Sequence, residues 1–393
     1  MKFHGSHLSY CTNIHPAETW EETRRALQTH VLAVRDLVCS GDHRSPQCDG
    51  DTRSPLPFGI GLRLSAVAAR ELLEGDNLRD FKAWLEETNT YVFTINGFPY
   101  GSFHGTRVKE RVFQPDWTEP SRLDYTKDLF RILAVIARPD TGASVSTLPG
   151  SHKTFGADES TIRRNLIDLA DWLEALSADT GHDFHLGLEP EPLGHFENTA
   201  ETMAFFARLH ADATDSDVIR RRIGVNYDAC HFALQYEDAA DSLDALVKAG
   251  IRISKIHLSS ALAFDPGDPA AIEAIRAFDE PVYFHQVLLR DAGGGITRFI
   301  DLPDFLTSRD PRAVHAEARV HFHIPLDAEP APPLRSTRSH ARDVLAWCRT
   351  HPDACRHFEI ETYTWGVLPA ELQRPVERQI AGEYRWVFAN AEA

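Results

Sequence analysis

Four side chains able to bind a divalent cation or move a proton stand where short apolar runs stop. Phe184-His-Leu-Gly-Leu-Glu-Pro-Glu-Pro-Leu193 reaches Glu189 just as Pro190 and Pro192 rule out both a continuing strand and a helix. Similar runs carry Asp228 and His231 at 223–231, His257 at 251–259, and Glu361 at 357–365. Helix-like sequence separates them, the alternation expected of βα units with parallel strands. In a parallel barrel those strand ends share one face, where loops supply the chemistry. The spacing therefore predicts that Glu189, Asp228, His257 and Glu361 meet.

Three carboxylates and one imidazole suit Mn, Mg, Zn, Co or Fe better than a soft copper centre, without choosing among them. Glu359 and Glu361 alternate onto one side of their strand, so either could ligate; Glu361 is preferred because it lies nearer the strand's end. Each residue alone has a structural use, as a helix cap, a turn anchor, a buried hydrogen-bonding histidine or an ion pair. Recurrence at four strand ends favours a metal. A cation holding adjacent hydroxyl and carbonyl oxygens would let Glu189 and Glu361 act as an acid/base pair, with His231 orienting oxygens or binding metal. Asn96, His104 and Glu191 are candidate substrate contacts, as are His321 and His323, which period-two spacing puts on one side of a strand.

The elements needed to position these groups can be read in order. His7–His15 reads as a first strand, with His15 at its end, followed by a helix over Thr19–Leu37. Residues 40–57 form a Gly/Asp/Pro/Ser-rich loop, and Phe58–Leu64 is a second strand. Helices follow from about Ser65 to Leu73 and through Trp84. Tyr91–Asn96 is the third strand and runs into an aromatic, Gly-rich loop ending at His104. After an excursion at 105–124 come a helix at Tyr125–Ile136, a strand at Ala143–Leu148 and a helix at Ser160–Leu176. The fifth to seventh strands carry Glu189, Asp228 and His257, separated by helices at Thr199–Leu209 and Asp238–Ala249, the second stopped by Gly250. Val282–Leu289 and Ala318–Pro325 look extended and able to pair as an accessory ribbon. A rigid Pro-rich linker at 328–333, a helix at Ser339–Arg349, the last strand and a terminal helix over Pro369–Phe388 complete the chain. The expected organisation is one barrel spanning 1–393, with an insertion at 262–340 between strands seven and eight and a C-terminal helical extension at 369–393.

Composition narrows the function. The chain has 393 residues, 42% hydrophobic and 25% charged, ordinary for a globular protein large enough to bury a substantial core. Its 58 acidic against 41 basic residues give a formal charge of -17 and disfavour nucleic acid as a partner. No signal core or membrane-spanning run stands out, so the cytoplasm is the default expectation. The six cysteines lack CxxC spacing and read as reduced thiols. The terminal helix and exposed apolar loops leave room for a homodimer or a protein partner, although ordinary barrel packing explains them equally well.

Glu189-Pro-Glu-Pro192, Asp228-Ala-Cys-His231, His257 and Glu361 resemble the strand-end pattern of xylose-isomerase-like TIM barrels, which include sugar isomerases and epimerases. The resemblance implies an α/β (β/α)8 barrel, Glu189, Asp228, His257 and Glu361 as metal ligands, and His231 near substrate. Leu8–Trp20, Tyr91–His104 and His321-Phe-His323 resemble a narrower family, the EboE metabolite traffic barrels of bacterial secondary-metabolite gene clusters. That likeness implies handling of a precursor metabolite together with proteins of the same pathway. Glu191 departs from the Glu-Pro-Lys-Pro of some isomerases, so lysine-assisted hydride shift is not expected. The expected activity is isomerisation or epimerisation of a small hydroxy-carbonyl metabolite. A metal hydrolase or phosphodiesterase and a noncatalytic metabolite-binding or transfer protein are the alternatives.

Overall fold

The computed structural model describes residues 2–3, 5–39, 57–104, 108–308 and 315–391. The loop expected at 40–57 lies outside them apart from Pro57, as does Cys48. Eight strands form the barrel, in a nine-stranded sheet that Lys2–Phe3 extends antiparallel to the first of them: β1 (Ser6–Tyr10), β2 (Phe58–Arg63), β3 (Thr90–Asn96), β4 (Ala143–Thr147), β5 (Phe184–Leu188), β6 (Ile223–Asp228), β7 (Arg252–Leu258) and, after an insertion, β13 (His357–Ile360). Their order is β1-β13-β7-β6-β5-β4-β3-β2, every pair parallel. A parallel bridge between Cys11 and Gly61 brings the two ends together. This is the (β/α)8 TIM barrel the strand and helix alternation predicts.

Between β7 and β13 the chain builds a second, antiparallel sheet. Its strands are β8 (Leu262–Phe264), β9 (Val287–Asp291), β10 (Ile296–Phe299), β11 (His315–Val320) and β12 (Arg335–Ser336), ordered β10-β9-β11-β8-β12. Its own apolar cluster includes Leu262, Val287, Phe305 and Phe322, all fully buried.

Alternation along the barrel strands separates two environments. Tyr227, Ile256, Leu258, Phe358 and Ile360 belong to the main apolar core, while their neighbours Asp228, His257 and Glu359 are polar and fully buried. Tyr227 shows how the outer side is finished. Its hydroxyl meets Ser242 Oγ at 2.7 Å and His340 Nε2 at 2.9 Å, under helices Ala239–Lys248 and Arg338–Thr350. Asn198 caps helix Thr199–Asp212 by accepting from Glu201 N, and Gly250, at φ +73°, follows Ala239–Lys248 as the stop expected of it. Among the described residues, no helix is long and apolar enough to cross a membrane.

Several boundaries differ from the sequence expectation for local reasons. The first strand ends at Tyr10, and Thr12–Ile14 is a 3-10 turn whose Thr12 hydroxyl accepts from Arg63 N at 2.8 Å. His15 closes that turn and stacks on His30, with ring centroids 4.3 Å apart, as a packing residue. The accessory ribbon forms with a shifted start, Val287 pairing with Val320, because Glu280 captures the amides of Val282 and Tyr283 at 2.8 and 3.0 Å and turns the chain. The terminal helix runs Val376–Ala391 instead of starting at Pro369, since Pro375 lacks an amide proton and is tolerated only near a helix start.

That terminal helix buries an acid. Glu383 is 1% exposed. One of its oxygens accepts from Leu326 N at 3.1 Å and Thr362 Oγ1 at 2.6 Å, and the other has no partner. Burial pushes its carboxyl up to about 8, whereas an unfolded chain releases that proton near 4.3. The folded state holds the extra proton between those values, so stability falls as pH rises through them, by up to about 1.4 kcal/mol per unit from this group. Glu383→Gln keeps an acceptor and removes the titration. Urea unfolding from about pH 5 to pH 8 should show the variant gaining on the parent as pH rises; parallel profiles would refute the buried-acid account.

Candidate metal centre

The parallel register puts the predicted residues within reach of one another. Asp228 of β6 pairs with His257 of β7, which pairs with Glu359 of β13. Glu361 stands one inward position further along, and Glu189 follows β5 with its amide bonded to Thr147 O at 2.9 Å. Ligand atoms of Glu189, Asp228, His257 and Glu361 all lie within 4.8 Å of one another, and all four residues are buried.

His257 is the hub. Its Nε2 donates to Glu359 Oε2 at 2.9 Å, which leaves Nδ1 facing Glu189 Oε1 at 3.2 Å, Asp228 Oδ2 at 3.3 Å and Glu361 Oε2 at 3.5 Å. Glu359 is in turn paired with Lys255, and both are completely buried. A carboxylate behind a ligating histidine fixes its tautomer and orientation. Glu359 lies behind the histidine, on its Nε2 side, and Glu361 in front of it, on its Nδ1 side. Gly61 makes room for Glu359: a Cβ there would come within 1.8 Å of Glu359 Oε1.

Asp228 has two tasks. Its Oδ1 caps the short helix Ala229–Leu234, accepting from Cys230 N at 2.7 Å and His231 N at 3.2 Å, and also accepts from Ser259 Oγ at 2.6 Å. Its Oδ2 has no hydrogen-bond partner. A structural cap and a free donor atom therefore coexist in one side chain. Glu361 is steadied by Asn13 and Asn96, whose amides donate to Oε1 at 2.9 and 3.3 Å, and Glu189 Oε2 accepts from Asn226 at 2.7 Å.

Three histidines stand beside this group. His231 donates from Nδ1 to Pro190 O at 2.9 Å, His323 from Nδ1 to Glu361 O at 3.0 Å, and His321 from Nδ1 to Gln286 Oε1 at 2.7 Å. His231 also turns Nε2 to Glu191 Oε2 at 3.4 Å, while the Nε2 atoms of His321 and His323 have no hydrogen-bond partner. Their rings contact one another, with centroids 4.8 to 5.5 Å apart. His321 and His323 lie just past β11, but His321 N still donates to Gln286 O at 2.9 Å and carries the pairing one residue further. Smaller groupings of three also place their ligand atoms within 4.8 Å of one another, among them Asp228 with His231 and His323, and Glu191 with His231 and His321.

Burial and crowding shape the protonation. Burial raises the Glu361 carboxyl well above its usual range, and Glu189, Asp228 and Glu359 push the same way against His257. Glu191 is likewise raised by burial and by the neighbouring acids. Burial opposes the charged form of Asp228, but His231 and His323 draw it well below the ordinary value. Burial disfavours a charged His257, yet Glu361 and Glu189 lift it well above 6.5. Burial and the other histidines lower His321 well below that value, and burial brings His323 down to about 4.

A cavity of about 600 Å³, counted to its open side, meets the group at Glu189, Glu191, His231, His321 and Glu361. Asn96 also lines it. His104 does not; it packs edge-on against Phe103, with centroids 5.2 Å apart. Sequence reasoning missed Asn13, Asn226 and Lys255. Asn226 and Lys255 each lie two residues before a candidate ligand, so the alternation that selected Asp228 and His257 also pointed to them. Asn13 sits on the turn that was read as strand.

No protein-family model matches the chain, and no curated protein matches it. Solved structures similar to it include the probable 3-DHS dehydratase AsbF of Bacillus anthracis, involved in petrobactin synthesis, at 12% identity, 98% and 97% coverage of the two chains and a TM-score of 0.45. A zinc-binding IolI protein shares 11% identity over 98% and 95%, with a TM-score of 0.43. A xylose isomerase domain containing protein of Salmonella typhimurium shares 11% over the whole of both chains, with a TM-score of 0.42. At such identities and scores the likeness carries no chemistry across.

The Lys255–Glu359 pair beneath His257 can be tested by stability. Lys255→Met strands a buried carboxylate and should cost about 3–5 kcal/mol in urea unfolding. Adding Glu359→Gln should recover more than half of that loss, and a double variant as unstable as the single would show that the pair is not coupled.

Proposed function

We propose that the chain is a divalent-metal-dependent isomerase or epimerase acting on a small hydroxy-carbonyl metabolite, with Glu189, Asp228, His257 and Glu361 as the metal ligands. The observation that carries this reading is Asp228 Oδ2, buried without a hydrogen-bond partner beside two further carboxylates and an imidazole nitrogen that lies 3.2 to 3.5 Å from an oxygen of each of the three. Buried donor atoms of one sign require a compensating positive charge. The set of oxygens with one nitrogen fits Mn, Mg, Zn, Co or Fe.

When bound, the cation supplies Lewis-acid polarisation of a carbonyl and a template for two substrate oxygens. The remaining work falls to side chains. Glu189 and Glu361 line the cavity, so one can take the proton from the carbon between hydroxyl and carbonyl while the other returns a proton, giving a moved carbonyl or an inverted centre. His231 Nε2, with Nδ1 committed to Pro190, is placed to orient a substrate oxygen. Asn96, Glu191, His321 and His323 complete the proposed substrate contacts. Phosphate-ester chemistry is less well served, because Lys109 is the only Lys or Arg among the described lining residues and is already paired with Asp301. The sequence resemblance to metabolite traffic barrels supports a role in processing or passing on a secondary-metabolite precursor.

Binding must displace protons from the raised Glu361 carboxyl and from His257. Affinity for zinc or manganese should therefore weaken as pH falls, by up to about tenfold per unit for each proton displaced. Asp228→Asn preserves the cap and removes the free donor, and should lower metal affinity by more than about 100-fold. Calorimetric titration at several pH values checks both. Proton NMR in heavy water should show metal-dependent exchange at the carbon beside the carbonyl across a hydroxy-ketone panel. Failure to take up metal at any pH would refute the proposal.

A further inference from the structure

The acidic and imidazole groups that line the cavity are Glu189, Glu191, His231, His321 and Glu361. Most of the remaining lining is apolar and rich in rings, Phe98, Phe103, Phe113, Tyr283, Phe284 and Tyr363, with Asn13, Asn96, Lys109 and Gln286 as its other polar members. Phe103, Tyr283 and Tyr363 contact one another with centroids 5.1 to 5.4 Å apart, and Tyr363 continues to His323 at 4.7 Å. Phe98 meets Phe113 edge-on at 5.5 Å. Phe103, Val108 and Tyr283 form an apolar cluster separate from both the barrel core and the core of the insertion.

Three of the polar groups along these walls are already engaged. Tyr283 Oη donates to Phe103 O at 3.1 Å. Lys109 is paired with Asp301 and lies 5.2 Å from the Phe284 centroid. Gln286 accepts from His321 and donates to Pro192 O at 3.4 Å. A free sugar bears a hydroxyl on nearly every carbon, and its outer hydroxyls would lose water against these walls without gaining partners. An aryl group, by contrast, would meet ring faces and edges at the spacing aromatic pairs prefer.

Resting on the proposed metal-dependent reading, we propose that the cavity selects substrates with a chelating hydroxy-carbonyl head and an aryl body. The head reaches the acidic and imidazole end; the aryl group lies among Phe98, Phe103, Phe113 and Phe284.

Two hydroxamates with the same chelating head provide the test. On the zinc-loaded full chain, benzohydroxamate should bind at least about 30-fold more tightly than acetohydroxamate, as measured by calorimetry. Phe284 is only half-buried, and Phe284→Ala should weaken benzohydroxamate at least about fivefold more than acetohydroxamate. Val112→Asn, a second half-buried wall change that removes no ring, should erode the same preference. Equal affinity for the two probes overturns the aryl proposal and leaves the metal reading standing. Zinc bound with neither probe recognised also overturns it. No zinc uptake brings down both.

Discussion

Three carboxylates crowded around one imidazole nitrogen inside a barrel form the constraint on which the rest of this structure depends. Two like charges about 4 Å apart repel by about 4 kcal/mol at the effective dielectric of a protein. Several such pairs can be held together only if charge is supplied or protons are retained. The chain does part of this from below, where Lys255 faces Glu359 and Glu359 holds the far nitrogen of His257. Above that layer no fixed lysine or arginine faces Glu189, Asp228 and Glu361 among the described contacts. Amide donors from Asn13, Asn96 and Asn226 soften the carboxylates without neutralising them. The layers thus differ in charge, with a lysine built into the lower one and no lysine or arginine recorded against the carboxylates of the upper one.

The parallel register makes this layering inexpensive in backbone terms. Asn226 and Asp228, Lys255 and His257, and Glu359 and Glu361 each lie two residues apart, so each strand contributes one side chain per layer on the same face. The intervening residues carry apolar groups to the helices. Local devices then fix orientation at the ends. Pro190 offers its carbonyl to His231, and Asp228 uses one oxygen to begin a helix, which directs the other into the barrel. Gly61 is small because Glu359 occupies the space a Cβ would need.

Much of this was legible in the sequence because period-two alternation and proline punctuation are local signals. Strands ending at Asp228 and near Glu189, His257 and Glu361, and the preference for Glu361 over Glu359, follow from that pattern. What could not be read depends on chain reversals that no periodicity announces. Thr12–Ile14 looked like a continuing strand, and its 3-10 turn brings Asn13 to Glu361. Glu280 bends the segment before Val287 by capturing two amides, so the ribbon starts later than its extended composition suggested. His104 shares an aromatic loop with a residue that lines the cavity, but its own ring packs beside Phe103 instead of entering. The cavity walls come from the loop after β3, the 108–113 segment, the insertion and the turn after β13, and their meeting is a property of tertiary structure alone.

The insertion links the two halves of the cavity. β9 and β11 pair so that His321 follows one strand while Gln286 precedes the other, and these two side chains hydrogen-bond at the polar end. Tyr283 and Phe284, three and two residues before Gln286, reach the apolar wall from the same segment. One antiparallel pairing therefore positions imidazole and ring together, and a register slip in it would disturb both. A barrel lacking this sheet would keep Glu189, Asp228, His257 and Glu361, which sit on or just past the parallel strands, though Glu361 would lose the His323 contact to its carbonyl. It would lose His321, His323 and a large part of the aromatic wall. Strand ends thus position the acidic and imidazole cluster, and the insertion builds much of the cavity beside it.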